Sequence, residues 1–323
     1  MRTIVATRFG ASDILTLVER PTPVPGIGEL RVDVNVVGVG WLDTRIRAGQ
    51  GPNVFRVAPP YVPGSAVGGT VAAVGDGVDQ EWIGARVISR PSGGIYGGGY
   101  ADTVIASPES TFRVPAGLDL SVATALMDDA STALAVFEKT PAIQGEYVLV
   151  APGLGGLGHV LVQIARAAGA TVIAAVRGAE KVAVARRLTP TVVNYAERDW
   201  PEQVLALTKH RGLDVVFDGI GGAIGASSLA LLADGGRFSA YGMTSGAQTA
   251  IGEADRRRVT VVDMSQLPEF WPDTSRRVKL VLQEAALGRI NPIIGQTYPL
   301  AEAAAAHADI EARRVMGKTL LLA

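Results

Sequence analysis

From Leu30 to Val36 the chain alternates, with Leu30, Val32, Val34 and Val36 apolar and Arg31, Asp33 and Asn35 polar. A period of two predicts a β-strand with one buried and one wet face. The stretches Pro21 to Gly26, Pro59 to Gly64 and Pro91 to Gly94 read as loops between further short strands, because proline lacks a ladder N–H and glycine takes positive φ. Up to about Pro115 the pattern therefore predicts an all-β, barrel-like unit. Ser121 is a candidate helix N-cap before an alanine-rich segment, which places a boundary there. From Gly145 on, strand-like runs at 147–151, 171–176, 192–195, 214–218 and 236–241 alternate with helical stretches at 157–168, 180–188, 200–209 and 225–232. That alternation predicts an α/β fold, a doubly wound parallel sheet with crossover helices on both faces. The end, 300–323, reads as one helix and a final strand, 319–322. Residues 1–121 with 267–323 form one expected domain and 122–266 the other.

Composition narrows the chemistry. With 323 residues, 48% hydrophobic and 19% charged, the chain can bury substantial cores and is not disordered. The absence of cysteine removes disulfides, thiolate nucleophiles and cysteine-ligated metals. His159, His210 and His307 stand far apart without metal-motif spacing, so no metal ligand is assigned. A formal net charge of −1 gives no broad field toward nucleic acid. Neither a signal-like start nor an apolar run of membrane-spanning length is present, and the expectation is a cytoplasmic protein without membrane partners.

The apolar run Val148–Ala151 leads into Gly153-Leu154-Gly155-Gly156-Leu157-Gly158 and then a helical stretch. Strand, G-x-G-x-x-G and helix together predict a dinucleotide site, with the pyrophosphate against the glycine turn and the helix N-terminus. The second strand of the unit ends at Val176 and Arg177, with Lys181 one helical turn on and no acid at the tip. Two bases there suit the 2′-phosphate of NADPH: charge-assisted hydrogen bonds contribute about 1.5–3 kcal/mol each. The alternative is that both are solvated surface charges, and Glu180 competes for them. The loops Asp218-Gly219 and Tyr241-Gly242 also lie at carboxyl ends of strands, where ligands of such sheets bind.

A family resemblance is carried by Gly38-Val39-Gly40-Trp41-Leu42-Asp43, Pro63-Gly64, Gly84-Ala85-Arg86-Val87, Gly98-Gly99-Tyr100-Ala101, Thr132-Ala133, the glycine turn, Asn194-Tyr195 and Gly317-Lys318. Across essentially its whole length the chain resembles the medium-chain dehydrogenase/reductase superfamily, in its zinc-free quinone oxidoreductase (zeta-crystallin-like) branch. The resemblance implies a GroES-like partly open barrel and a Rossmann domain with a cleft between them, usually in a homodimer. It implies that Thr132, Gly155, Gly156, Leu157, Gly158, Arg177, Lys181, Tyr195, Asp218, Gly219, Gly242 and Lys318 bind the cofactor. Zinc-dependent relatives carry Cys where Gly40 stands and His-Glu where Ser65-Ala66 stand, so those ligands are absent here. The branch's hinge before Thr132 is replaced by Leu126-Met127-Asp128-Asp129-Ala130, a remodelled pocket.

The expected reaction is hydride transfer from NADPH to a conjugated enone or quinone, which needs proximity, a dry site and a group that offsets the developing enolate charge. Trp41, Tyr61, Met127 and Asp128 are the expected substrate contacts, with Tyr61 offering a proton and Asp128 acting as a raised-pKa acid or as a base. Against these stand blander readings: Trp41 packing in the barrel, Tyr61 as a loop residue, and Asp129 as the N-cap of the following helix. Two other functions stay open: a pathway-specific enzyme of secondary metabolism using Asp128 or Asp129 for acid–base work, and a non-catalytic NADPH-binding interaction protein. Arg256–Arg258 reads as a solvated face, and the strand after it as an edge at which a twin subunit would pair.

Overall fold

The computed structural model describes residues 1–51, 57–93 and 97–323. Gly94, the last residue of one expected loop, lies outside them. The chain divides into two compact units, 1–128 with 278–323 and 129–277.

The first unit opens with strands β1 (Arg2–Ala6) and β2 (Leu15–Glu19), paired antiparallel. Then come β3 (Leu30–Val39), helix α1 (Trp41–Arg47), β4 (Val67–Val74), β5 (Arg86–Pro91), β6 (Thr103–Arg113) and helix α2 (Leu120–Met127). β3 pairs with β4 along most of its length, and its first half also pairs with β6, so β3 to β6 close on themselves into a small barrel. The predicted alternation holds from Leu30 to Asn35, but Val36 to Val39 are buried on both faces. Val36 packs with Ala125 of α2 and with Leu320, so the outer face of the strand is covered there.

Helix α2 explains why the boundary falls at Asp128 and not at residue 121: it packs on β3, β4 and β5 of the barrel. Its N-cap is Asp119, not Ser121, because the Asp119 carboxylate accepts from the N–H groups of Ser121 and Val122 at 2.8 and 3.2 Å.

The second unit runs α3 (Asp129–Lys139), β7 (Tyr147–Ala151), α4 (Gly158–Ala167), β8 (Thr171–Val176), α5 (Ala179–Ala185), β9 (Thr191–Asn194), α6 (Trp200–Leu207), β10 (Leu213–Asp218), α7 (Gly222–Ala230), β11 (Leu232–Ala240), α8 (Glu253–Arg258) and β12 (Thr260–Val262). The six strands are all parallel in the order β12-β11-β10-β7-β8-β9. Their order reverses between β7 and β10, the point where such sheets bind ligands beyond the carboxyl ends of the strands. Strand β11 starts at Leu232, earlier than the expected 236, and α7 starts at Gly222 after the positive φ of Gly221, 71°.

Helix α9 (Thr274–Ala286) crosses the second boundary, which falls after Arg277 and not after residue 266. Arg277 stays with the second unit through Glu138 of α3, at 2.8 Å, and the Phe270 carbonyl, at 2.7 Å. The chain then returns to the barrel unit as β13 (Ile294–Pro299), α10 (Ala303–Glu311) and β14 (Lys318–Leu322), with β14 antiparallel to the second half of β3. No single helix among the described residues is long and apolar enough to cross a membrane.

Candidate functional site

The glycine turn joins β7 to α4, and its glycines have separate causes. A methyl on Gly158 would strike the Pro152 carbonyl, and one on Gly153 would come 2.7 Å from Ala174 Cβ on β8. These two positions are fixed by close packing of turn, strand and helix. Gly155 has only Pro152 Cγ nearby, at 3.2 Å. Helix α4 follows Leu157 with no side-chain cap, which leaves its N-terminal end for an anion. At Gly156 a methyl would strike the carboxylate of Asp129. Asp129 is the first residue inside α3, not its N-cap, and its carboxylate lies against the glycine turn. Nothing in the sequence signals that approach. His159 is buried with Nδ1 2.8 Å from the Gly155 carbonyl, so its ring braces the turn from inside.

Arg177 and Tyr195 follow the carboxyl ends of the neighbouring strands β8 and β9, and Lys181 lies in the first turn of α5. Asn194 ties these ends together: its Oδ1 accepts from the N–H of Gly178 at 2.8 Å and of Ala196 at 3.2 Å. Gly178 needs its φ of 90° to turn the chain into α5. Arg177 is exposed.

The loops after β10 and β11 are joined to each other. Tyr241 N–H donates to the Asp218 carbonyl at 2.8 Å, and Ser245 N–H to the Ile220 carbonyl at 2.8 Å. The Tyr241 ring lies on Gly219, where any Cβ would meet its Cε2 at 2.5 Å, and Gly242 lies against the Gly219 carbonyl. Asp218 corrects an expectation. Its carboxylate is fully buried and accepts from Ile220 N–H at 2.9 Å, Gly221 N–H at 3.0 Å and the Thr249 hydroxyl, so it organises the loop and offers no side chain to a ligand. Burial raises its pKa, with the Thr249 and backbone hydrogen bonds pulling the other way. The Tyr241 hydroxyl is buried without a hydrogen-bond partner among the described residues, and burial, then the charges of Asp218 and Asp129, push its pKa up. Sequence reasoning had used only the glycine beside it. Thr132 is half-buried in α3.

In the barrel unit, Tyr61 lines a cavity of about 370 Å³ together with Thr3, Val62, Pro91, Ser92 and Val104. Its hydroxyl is buried and has no hydrogen-bond partner among the described residues. Burial first, then the charge of Asp43, raises its pKa against the pull of Arg47, so Tyr61 keeps its proton at neutral pH. Trp41 packs on the barrel core with Arg45 5.5 Å from its ring centre and does not line that cavity. Met127 is 1% exposed, so it presents no surface to a substrate, a second correction.

Asp128 is the third. Its carboxylate takes the Ser65 hydroxyl and, at 2.6 Å, Arg90 Nη2. Burial drives the carboxyl up, but the charges of Arg90 and Lys318 and the bonds from Ser65 and Arg90 outweigh it and hold the group below the usual range. An ionised, paired carboxylate is not a raised-pKa acid. Lys318, expected beside the cofactor, is 4% exposed and lies on Gly38, where a Cβ would stand 3.3 Å from its Cε.

The same group tests for zinc. Gly40 has no side chain to offer, Ser65 donates to Asp128, and two cations already act on that carboxylate. These residues do not fit a dication.

Residues 156–279 match the family model described as zinc-binding dehydrogenase, and 26–116 the alcohol dehydrogenase GroES-like domain. The chain is 33% identical to a 2-haloacrylate reductase from a Burkholderia species, over 98% of each chain. It is 30% identical to the quinone oxidoreductase of Rattus norvegicus, over 100% of this chain and 98% of that one. The structure of Escherichia coli quinone oxidoreductase complexed with NADPH superposes with a TM-score of 0.89 at 26% identity, covering all of both chains. With a barrel carrying the GroES-like match, a switch-point glycine turn in a parallel sheet and full-length relatives at 30% identity or more, the chain belongs to the medium-chain dehydrogenase/reductase family of oxidoreductases, in its quinone oxidoreductase branch.

Proposed function

We propose that this chain is a zinc-independent, NADPH-dependent reductase of conjugated enones or quinones. The reading is carried by one observation: a glycine turn leading into a helix with no side-chain cap, with Arg177, Lys181 and Tyr195 at or just after the ends of the two adjoining strands. The turn would take the pyrophosphate, and the bases the 2′-phosphate. The backbone of Gly219 and Gly242 would line the nicotinamide end.

Bound NADPH supplies the hydride. Tyr61, which keeps its proton and whose buried hydroxyl has no hydrogen-bond partner among the described residues, would donate to the substrate oxygen once a small displacement uncovers it. Val62 and Val104 give the cavity beside Tyr61 an apolar wall. Asp128 works as a held charge, which removes the basis for acid–base chemistry through a neutral Asp128. Edge strand β12 is the surface at which we place the homodimer contact, with cytoplasmic residence as part of the same reading.

Fluorescence titration with NADPH and NADH tests the cofactor assignment. In the Arg177→Ala, Lys181→Ala double variant NADPH affinity falls about 30- to 150-fold, the loss expected for two charge-assisted contacts at about 1–1.5 kcal/mol each net of solvent. NADH affinity changes little. Equal affinity for the two nucleotides in the parent would refute the assignment. NADPH oxidation in the presence of 2-cyclohexenone or naphthoquinone by metal-stripped protein tests the reaction.

A further inference from the structure

Tyr241 follows the carboxyl end of β11, and its N–H donates to the Asp218 carbonyl at the end of β10, at 2.8 Å. Gly219 N–H donates in turn to the Ala151 carbonyl at the end of β7, at 2.7 Å, so the ends of three neighbouring strands of the second unit are tied together at the switch point. The phenol ring fills the space that a side chain on Gly219 would need: a Cβ there would meet Cζ at 2.6 Å and the hydroxyl oxygen at 2.8 Å. The ring is thereby held against a stretch of bare backbone. Its hydroxyl is nevertheless buried with no hydrogen-bond partner among the described residues. Neither nearby carboxylate takes it: that of Asp218 accepts from Ile220, Gly221 and Thr249, and that of Asp129 lies against Gly156. A buried donor left unmade costs free energy that phenylalanine, with the same ring and no hydroxyl, would not. Such a cost is kept where a ligand recovers it. Burial and the charges of Asp218 and Asp129 keep the proton on the oxygen, so the group is a donor. The same two charges repel an anion, so the acceptor that suits it is a neutral oxygen.

We propose that the Tyr241 hydroxyl donates a hydrogen bond to a neutral oxygen on the nicotinamide half of the dinucleotide, a ribose hydroxyl or the carboxamide carbonyl. The inference rests on the cofactor reading given above and deepens it. The glycine turn, Arg177 and Lys181 answer the charged oxygens of the phosphates, whereas Tyr241 answers an uncharged one and orients the half that carries the reducing ring. Because the hydroxyl is covered, the contact follows a small displacement of the chain around it. The two acceptors share one recognition chemistry and are told apart by truncated nucleotides.

The test is Tyr241→Phe, read by stability and binding and not by turnover. Without nucleotide the variant melts at or above the temperature of the parent, because the substitution removes a buried donor that has no partner. Calorimetric titration gives NADPH binding weaker by about 3- to 10-fold, the range of one neutral hydrogen bond. Adenosine 2′,5′-bisphosphate lacks the nicotinamide half and binds parent and variant alike. The 2′-phosphate of ADP-ribose keeps the ribose without the ring: its affinity falls together with that of NADPH if a ribose hydroxyl is the acceptor, and is unchanged if the carboxamide is. Equal NADPH affinity in parent and variant overturns the contact and leaves the hydroxyl to an ordered water. So does a variant that loses adenosine 2′,5′-bisphosphate as strongly as NADPH, which is the mark of a displaced loop, and so does a variant that melts below the parent. A parent that binds neither NADPH nor NADH refutes the cofactor reading itself, and the contact with it.

Discussion

Replacing Asp128 by Asn tests the electrostatics of the barrel unit most directly, because the shape is kept and one charge is removed. The carboxylate holds a charge-assisted bond from Arg90 at 2.6 Å and the Ser65 hydroxyl. The amide oxygen of Asn can accept one of these well, not both with the same strength. A charge-assisted bond is worth about 1.5–3 kcal/mol, and at 25% exposure little of that is lost to solvent screening. Arg90 and Lys318 are then left to repel each other, so a loss of about 3 kcal/mol is expected. Urea unfolding followed by tryptophan fluorescence reads it as an earlier midpoint. The sign of the pH dependence follows from the direction of the shift. The carboxyl lies below 3.8 in the folded chain, so its contribution is complete above the unfolded value and disappears as pH falls through the folded one. The gap between parent and variant is therefore full well above 3.8 and narrows progressively as pH falls below it. Equal midpoints at neutral pH, or a gap that survives unchanged at about pH 3, would refute the ion-pair account.

Two further outcomes follow from buried groups. Asp218→Ala leaves the N–H groups of Ile220 and Gly221 and the Thr249 hydroxyl unpartnered, which costs about 3–5 kcal/mol in urea unfolding and weakens NADPH binding through the displaced Gly219 loop. His307 accepts from Arg47 Nε at 3.2 Å through Nδ1, so its proton is on Nε2, which donates to the Tyr100 hydroxyl at 2.8 Å. Burial and the Arg47 charge press its pKa down to about 3, so the folded ring stays neutral while the unfolded one protonates near 6.5. Its linkage lowers stability as pH falls from about 6.5 toward 3. NMR observation of the Nε2–H tautomer unchanged at about pH 5 checks this, and a ring titrating near 6.5 would contradict it.

How far the sequence reaches is set by range. Leu30 to Asn35, the β/α alternation after Gly145 and the glycine turn are local, periodic signals, and the structure has each where the pattern put it, within a few residues at most element ends. The positions of Arg177, Lys181 and Tyr195 were legible for the same reason, since each lies at or within a turn of a strand end. What a side chain does there depends on groups distant in the chain. Asp128 meets Ser65, Arg90 and Lys318, which are 63, 38 and 190 residues away, and those partners turn an expected acid into a held anion. Asp218 is committed to Thr249, Asp129 is laid against Gly156, and Met127 is buried. Propensity and spacing determined the two folds and the cofactor turn, because backbone geometry repeats locally. Tertiary packing alone decided the charge states of the site, because desolvation and Coulomb contacts depend on neighbours that sequence separation does not reveal.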